Sequence, residues 1–235
     1  MLESVRACVF DAYGTLLDIH SAVSQNSASV GEVADAFSSL WRQRQLEYTW
    51  TRSLMNQYAD FWEITKDALE YALERFRLHD DGLKESLMNS YLELAAYPDA
   101  ADTLQKIRSM GRITAVLSNG TPHMLREALQ ANHLSTYFDA CLSVDELKVY
   151  KPDPRVYELA CNRLGVLPQQ VCFVSANAWD LAGAASFGFN TVWINRDTLA
   201  REYKFASLHS EQRSLREVPA LLAAGSVATD TIFGS

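Results

Sequence analysis

The chain has 235 residues, 48% of them hydrophobic and 21% charged, which is enough for one large domain or a core with a smaller insert. The formal net charge of −8, from 21 basic and 29 acidic residues, argues against a nucleic-acid partner because no basic stretch offsets it. The longest apolar runs, residues 113–117 and 171–174, have the length of strands, so we expect no membrane span.

The first predicted element is a short buried strand over residues 5–10, which runs directly into Asp11 and a tight turn. From about residue 31 to residue 94 the apolar spacing is helical throughout. After Pro98 helices and strands alternate, and residues 227–235 have the composition of a frayed tail. We predict helices over 99–110, 122–131, 154–164 and 180–187, and strands over 113–117, 140–144, 171–175 and 191–194.

Alternating strands and helices predict an α/β fold in which a parallel sheet is covered by helices on both faces. The helical block that follows the first strand predicts a separate subdomain, or cap. We therefore expect a Rossmann-like core formed by residues 1–16 and 98–235, with an inserted helical cap formed by residues 17–97.

Small polar residues follow three of the predicted strands, at the sheet edge where parallel α/β proteins bind their ligands. The three segments are residues 11–15, 118–119 and 175–180. Each segment taken alone is explained better as a turn or a helix cap. Three such segments at one edge favour a site for an anion.

Asp11 follows a buried strand, where a carboxylate either caps a turn or acts as a nucleophile that forms an ester. Lys151, next to Pro152, is either a solvated surface lysine or a cation directed at the site, where it would keep Asp11 ionised. The 5 histidines and 4 cysteines show no metal-ligand spacing, so we expect no metal.

Four short segments resemble the motifs of the haloacid dehalogenase superfamily, and the likeness extends from about residue 5 to residue 195. The helical block also fits, because residues 40–50 closely resemble the corresponding stretch of the L-2-haloacid dehalogenases. In motif order the four segments are Asp11-Ala12-Tyr13-Gly14-Thr15, Ser118-Asn119-Gly120, Lys151-Pro152-Asp153 and Ser175-Ala176-Asn177-Ala178-Trp179-Asp180.

Two departures from the usual pattern of this superfamily indicate the reaction. Most members are magnesium-dependent phosphatases with a second aspartate two residues after the nucleophile, which protonates the leaving alkoxide, but Tyr13 occupies that position here. Because halide leaves without a proton, a dehalogenase does not need this acid. Ser175 and Asn177 stand where phosphatases place carboxylates for Mg²⁺, so we expect no cofactor.

The resemblance implies hydrolysis of short 2-halocarboxylates in two displacements. Asp11 attacks C2 from the face opposite the halogen and expels halide, and water then attacks the acyl carbon of the aspartyl ester. The product is a 2-hydroxy acid of inverted configuration, and the expected substrate is the L, or (S), enantiomer. In-line attack requires that the substrate be held in one orientation.

On the nucleophile side, the resemblance implies that Lys151 keeps Asp11 anionic and that Thr15 holds its carboxylate by a hydrogen bond. Ser175 and Tyr157 would help to position Lys151 and Asp11 without contacting the substrate themselves. Packing against the sheet explains Tyr157 equally well.

On the substrate side, Ser118 and nearby backbone amides would bind the substrate carboxylate. Arg42, from the cap, would face the departing halide with help from Asn119, where it stabilises charge that develops as the bond breaks. Asp180 and Asn177 would position and activate the hydrolytic water.

Some of these roles have alternatives. Arg42 is also explained as an exposed helix arginine and Asp180 as a helix cap. The core alternative applies to three wall residues, Leu46, Phe61 and Trp179. Ala176 stands where we expect a second small hydroxyl residue, which puts the rate in doubt but not the reaction. The expected pocket wall consists of Ala12, Tyr13, Gln43, Leu46, Phe61 and Trp179.

Two rival functions are a phosphatase or phosphonatase of the same superfamily and a non-catalytic binding protein. The missing second acid speaks against the first rival. The second would be expected to lose the nucleophile or the lysine first, yet both Asp11 and Lys151 are present.

Residues 40–50 carry Trp41, Leu46, Tyr48 and Trp50, more aromatic surface than a thin cap can easily bury. We therefore expect a homodimer with cap helices at its interface, in agreement with the resemblance. The N-terminus shows no secretory signal and the cysteines have no paired spacing, so we expect a cytoplasmic location.

Overall fold

A parallel sheet of six strands forms the centre of the chain in the computed structural model, which describes residues 2–204 and 208–224. The tail predicted over residues 227–235 lies outside the described residues. The strands are β1 (Ala7–Phe10), β2 (Ile113–Ser118), β3 (Ala140–Ser143), β4 (Val171–Ser175), β5 (Asn190–Ile194) and β6 (Ser210–Gln212). Their order is β3-β2-β1-β4-β5-β6, which confirms the predicted α/β class.

The sequence predicts five of these strands and misses β6, whose three residues are all polar. The strand β1 lies between β2 and β4, and all four of its residues are buried. Phe10 is in register with Val116 on one side and with Val174 on the other. The ends of these three strands therefore meet at one edge of the sheet, with Asp11 in the middle.

Five helices follow β1. They are α1 (Ser21–Gln25), α2 (Ser27–Val30), α3 (Ala34–Met55), α4 (Phe61–Phe76) and α5 (Asp81–Leu92). The helical region begins about ten residues earlier than predicted, because α1 and α2 are short and lack a long apolar repeat. Asp60 caps α4 by accepting a hydrogen bond from the Glu63 N–H at 2.9 Å.

The chain leaves the sheet and returns to it along two adjacent segments. Leu17 and Ala96 form an antiparallel bridge. The Asp18 N–H donates to the Ala95 carbonyl at 2.8 Å, and the Tyr97 N–H donates to the Leu16 carbonyl at 2.9 Å. We propose that this crossing marks the boundary of the cap, with residues 17–97 on one side and the core on the other.

Four further helices contact the sheet, and a fifth, α10 (Val218–Ala224), contacts α6. The four are α6 (Ala100–Ser109), α7 (Pro122–Ala131), α8 (Pro154–Leu164) and α9 (Ala178–Phe187). Thr121 caps α7 and Asp153 caps α8, each followed by a proline that suits the first helical turn. No helix within the described ranges is long and apolar enough to span a membrane.

Candidate active site

The side chain of Asp11 lies at the centre of the site and is 5% exposed. Its Oδ2 accepts hydrogen bonds from Thr15 Oγ1 at 3.0 Å and from Asn177 Nδ2 at 2.8 Å, with Ser175 Oγ at 3.5 Å. Among the described residues, Oδ1 accepts from Lys151 Nζ alone, at 3.1 Å. One carboxylate oxygen is thus held by three donors, while the other keeps a lone pair for attack.

Lys151 bridges two buried carboxylates. Its Nζ lies 3.1 Å from Asp11 Oδ1 and 2.7 Å from Asp180 Oδ2, and all three side chains are at most 7% exposed. The predicted lysine therefore lies beside the predicted nucleophile and is not a surface residue. A buried cation between two anions is held firmly, because removing it would leave the carboxylates facing each other.

Burial and charge act in opposite directions on the Lys151–Asp180 pair. Burial alone would lower the pKa of Lys151, but the two neighbouring carboxylates outweigh it and raise that pKa. Burial raises the pKa of Asp180 to about 6, and the negative charge of Asp11 adds to this effect while Lys151 opposes it. A carboxyl group with a pKa near neutrality is suited to accept and return a proton.

Tyr157, on α8, contacts the site through Asp180. Its hydroxyl donates to Asp180 Oδ1 at 2.8 Å, and its ring packs edge-on against Phe173. Tyr157 thus acts on Lys151 and Asp11 through Asp180, because the tyrosine holds the carboxylate that in turn holds the lysine, and its supporting role stays a prediction. Gly183 on α9 leaves room for the Tyr157 hydroxyl, since a Cβ at that position would overlap with it.

The end of β2 provides Ser118 and Asn119, both buried. Ser118 Oγ accepts from the Gly120 N–H at 3.1 Å. Asn119 Oδ1 accepts from the Lys151 N–H at 3.1 Å, which fixes the orientation of its amide. No described residue accepts from Asn119 Nδ2, so this donor is available to a ligand.

Arg42, on α3, extends from the cap to the loop that follows β1. Its Nη2 lies 3.4 Å from the Tyr13 carbonyl, which also accepts from Asn177 Nδ2 at 3.1 Å. Arg44 instead pairs with Glu47 on the surface of the same helix. Arg42 and Arg44 are both half-buried, so their partners and not their exposure distinguish them, and the role of Arg42 stays a prediction.

Aromatic rings enclose one side of the site. The buried ring of Tyr13 lies 5.6 Å from that of Phe61 and 5.8 Å from that of Tyr91. Trp179 meets Trp50 of α3 edge-on at 5.5 Å. Two of the predicted wall residues, Tyr13 and Phe61, therefore lie together, and Trp179 lies where cap and core meet.

The other predicted wall residues differ in exposure. Ala12 is buried, and its carbonyl accepts backbone N–H groups of the following turn. Leu46 is half-buried, while Gln43 is exposed, so its place in the wall stays a prediction. An open groove of about 890 Å³ has Trp50 and Leu54 of α3 and Lys151 and Trp179 of the core among its lining residues, which do not include Asp11.

The sequence analysis missed three polar residues of the cap that contact Arg42 directly or through one another. Gln45 accepts from Arg42 Nη1 at 2.8 Å, and its own amide contacts Thr65 and Tyr91. A signal for Gln45 exists, because it lies four residues after Trp41 on the apolar side of α3. A glutamine in such a stripe is buried, and its polar atoms then require partners.

Comparison with known proteins agrees with this geometry. The model of the haloacid dehalogenase-like hydrolases matches residues 5–188. The chain belongs to this family. It is 61% identical over 224 residues to (S)-2-haloacid dehalogenase 4A of Burkholderia cepacia, a match that covers 95% of this chain and 97% of that relative.

Solved structures of the family are similar throughout the chain. A crystal structure of a dehalogenase at 60% identity superposes with a TM-score of 0.94 and covers 95% of this chain and 99% of its own. The L-2-haloacid dehalogenase of Xanthobacter autotrophicus, solved with chloropropionic acid covalently bound, has a TM-score of 0.86 at 35% identity, with 93% and 98% covered. The resemblance stated from the motifs is confirmed.

Proposed function

We propose that this enzyme hydrolyses short-chain (S)-2-haloacids to (R)-2-hydroxyacids and halide through an ester on Asp11. The observation that carries the proposal is a buried, lysine-paired Asp11 with one oxygen free for attack and a Tyr13 ring where a phosphatase carries its acid. The relatives named (S)-2-haloacid dehalogenases support the choice of substrate and enantiomer.

In the first displacement, Oδ1 of Asp11 attacks C2 of the substrate, and the carbon–halogen bond breaks with its electron pair on the halide. Thr15 and Asn177 hold Oδ2, at 3.0 Å and 2.8 Å, so Oδ1 meets the substrate in a defined direction. Ser118, at the end of the adjacent strand, binds the substrate carboxylate together with backbone N–H groups. This orientation is what an in-line attack requires.

The departing halide meets donors from both halves of the molecule. Arg42 reaches the loop after β1 from the cap, and Asn119 Nδ2 is the unused donor on the core side. Both groups stabilise charge that is absent in the substrate and appears only as the bond breaks. Interactions of this kind raise the rate and not merely the affinity.

In the second displacement, water attacks the acyl carbon of the ester, and the bond from that carbon to Oδ1 breaks. Oδ1 leaves as the hydroxyl oxygen of the product, and the oxygen of the water replaces it in the regenerated carboxylate of Asp11. The proton released by the water passes to the leaving alkoxide oxygen by way of Asp180, whose pKa of about 6 suits this transfer. Asn177, which contacts Asp11 Oδ2, positions the water. One halide and one proton leave for each substrate and water consumed.

The rival phosphatase or phosphonatase reaction finds less support in the geometry. Tyr13 is 2% exposed, and burial raises the pKa of its hydroxyl well above the usual value, so this group is a poor proton donor to a leaving alkoxide. A phosphatase places several carboxylates in the fourth motif. Here Ser175 and Asn177 replace two of them, and the remaining acid, Asp180, is paired with Lys151.

The decisive test is halide release from racemic 2-chloropropionate in EDTA, with wild type beside Asp11→Asn. We expect the wild type to consume half of the racemate and yield (R)-lactate, and the variant to be inactive. Activity on phosphate esters that returns with Mg²⁺, without halide release, would establish the rival reaction instead.

We also propose a homodimer and a cytoplasmic location. Two of the residues that suggested the dimer pack within the chain instead: Trp41 is 2% exposed, and Trp50 packs on Trp179. Leu54 and Met55 at the end of α3, 85% and 60% exposed, support an interface better. Light scattering at micromolar concentration tests this, and a monomer would refute it. The four cysteines are unpaired, as a reducing compartment requires.

A further inference from the structure

We propose that Gln45 is a positioning residue that holds Arg42 over the nucleophile loop by means of a neutral hydrogen bond. Gln45 lies on α3, is 1% exposed, and is surrounded by partners from α4 and α5. The proposal rests on the function proposed above, in which Arg42 faces the departing halide. It assigns a role to a buried amide that the two displacements do not otherwise use.

The orientation of the Gln45 amide follows from its neighbours. Thr65 Oγ1 donates its one proton to the Phe61 carbonyl at 2.6 Å, so towards Gln45 it acts as an acceptor. Gln45 Nε2 lies 2.7 Å from that oxygen and therefore carries the donor hydrogens. The amide oxygen must then face Arg42, whose Nη1 donates to it at 2.8 Å.

Tyr91 closes this arrangement from α5. Its hydroxyl lies 3.0 Å from Gln45 Nε2 and 3.1 Å from Gln45 Oε1, so the amide has contacts on both of its polar atoms. The ring of Tyr91 stacks on Tyr13 at 5.8 Å, and Arg42 Nη2 donates to the Tyr13 carbonyl at 3.4 Å. Gln45 and Tyr13 thus fix the two ends of one guanidinium.

Two neutral groups, the Gln45 amide and the Tyr13 carbonyl, form a clamp on Arg42. The absence of a negative charge from this clamp matters for the reaction. Several other arginines are paired with carboxylates, such as Arg44 with Glu47 at 2.6 Å and Arg196 with Asp99 at 3.2 Å. Within the described residues, Arg42 has no carboxylate partner and bonds to an amide oxygen and a backbone carbonyl. Its positive charge therefore stays uncompensated and available to an anion.

The experiment compares Gln45→Met, which keeps the volume and removes the hydrogen bonds, with Thr49→Val. The control removes the hydrogen bond of another buried polar residue of α3, from Thr49 Oγ1 to the Leu46 carbonyl at 2.6 Å, one turn beyond Gln45. The readout is kcat/KM for 2-chloropropionate and for 2-iodopropionate, because this quantity reports the step in which halide leaves.

For Gln45→Met we expect kcat/KM on the chloro substrate to fall by about tenfold to a hundredfold, the scale of a hydrogen bond to a charged group. The loss on the iodo substrate should be several times smaller, because iodide is the weaker hydrogen-bond acceptor. Thr49→Val should leave the chloro-to-iodo ratio unchanged. Equal losses on both substrates in Gln45→Met would reduce Gln45 to a structural residue and overturn the proposal.

Gln45→Glu separates the clamp from its charge. The carboxylate can still hold Arg42 but offsets its positive charge. We therefore expect kcat/KM on the chloro substrate to fall again, although the guanidinium stays in place. Wild-type activity in Gln45→Glu would overturn the argument from neutrality. If Gln45→Met does not fold, Thr65→Val removes the acceptor that orients the amide and should lower the chloro-to-iodo ratio in the same direction.

A crystal structure of Gln45→Met keeps this inference distinguishable from the proposed function. The guanidinium should move away from the Tyr13 carbonyl, whatever the substrate of the enzyme is. A wild type that releases no halide refutes the proposed function, whereas an unmoved Arg42 in the variant refutes the clamp.

Discussion

The core and the cap build their halves of the active site by different physical means. In the core, charge dominates: Lys151 lies 3.1 Å from Asp11 and 2.7 Å from Asp180, with all three groups buried. In the cap, a single charged group, Arg42, is held by an amide and a backbone carbonyl. The core half is thus a buried cluster of one cation and two carboxylates, and the cap half is a cation kept ready for an anion.

This difference teaches where each half is vulnerable. A buried ion pair that loses one partner leaves an uncompensated charge, so a change in the core half should damage both stability and activity. A change in the cap half misplaces one side chain and should affect mainly the step in which halide leaves. The predictions below test the contrast, beginning with the core.

Lys151→Met should have the largest effect. Without the lysine, the carboxylates of Asp11 and Asp180 face each other in a buried site, and we expect destabilisation of about 3–5 kcal/mol. Halide release should fall by at least about a thousandfold, because the nucleophile loses the cation that holds its attacking oxygen. Thermal unfolding and halide assays measure both, with the exposed Lys106→Met as control. Activity within tenfold of wild type would contradict the role of the lysine.

Tyr157→Phe should change the pH dependence of ester breakdown. Asp180 accepts a proton only when ionised, so the rate of this step should fall as the pH drops below its pKa of about 6. The hydrogen bond from Tyr157 lowers that pKa, so its removal should move the acidic limb to higher pH. We expect a loss of about tenfold at neutral pH.

Single-turnover measurements follow ester breakdown in Tyr157→Phe directly. A range of roughly pH 5–9 includes the pKa of Asp180 of about 6 and its shift to higher pH. The exposed Tyr71→Phe serves as the matched control. An acidic limb that keeps its midpoint in the Tyr157 variant would show that Asp180 is not the group that titrates.

Gly183→Ala tests the position of Tyr157 in the core half by packing alone, without removing a hydrogen-bonding group. Alanine usually stabilises a helix relative to glycine, but here its Cβ would overlap with the Tyr157 hydroxyl and with Pro152. We expect a net destabilisation of about 1–3 kcal/mol, typical of overpacking, and a smaller loss of activity than in Tyr157→Phe. Calorimetry measures the first effect, and Ser186→Ala, on the exposed side of the same helix, should be neutral. A stabilised Gly183→Ala would contradict this geometry.

How far the sequence predicts the site differs between the two halves. The core residues follow strand ends, and the alternation of strands and helices indicates which ends meet, so Asp11, Ser118 and Ser175 are predictable as neighbours. Lys151 needed the family resemblance, because a turn lysine has no spacing that directs it inward. The sequence does not give the alignment of the strand ends. The structure shows it in the register of Phe10 with Val116 and with Val174.

The cap residues could not be predicted in the same way. Gln45, Thr65 and Tyr91 come from three different helices, and their contacts depend on how those helices pack. A helical period indicates which face of α3 is buried but not which residue of α5 it meets. The same limit applies to β6, since a strand at the sheet edge with no apolar residue leaves no pattern to detect.

The smallest expected effect concerns one of the contacts that join the two halves. Tyr58, in the loop between α3 and α4, donates to Asp145 of the core at 2.7 Å, and its ring stacks on Tyr150. Burial alone would raise the pKa of Asp145, but the hydrogen bonds from Lys148 and Tyr58 outweigh it and lower that pKa. Tyr58→Phe keeps the stacked ring and should cost about 1 kcal/mol of stability at neutral pH.

A carboxyl group with a depressed pKa contributes stability above its unfolded pKa and loses it as the pH falls through its folded pKa, so the cost of Tyr58→Phe should shrink in acid. Unfolding of wild type and variant at pH 7 and at about pH 3 tests this. If the variant also lowers halide release by more than a few fold, the contact between the halves controls how Arg42 meets the nucleophile loop. If stability changes alone, the two halves are joined mechanically but act on the substrate independently.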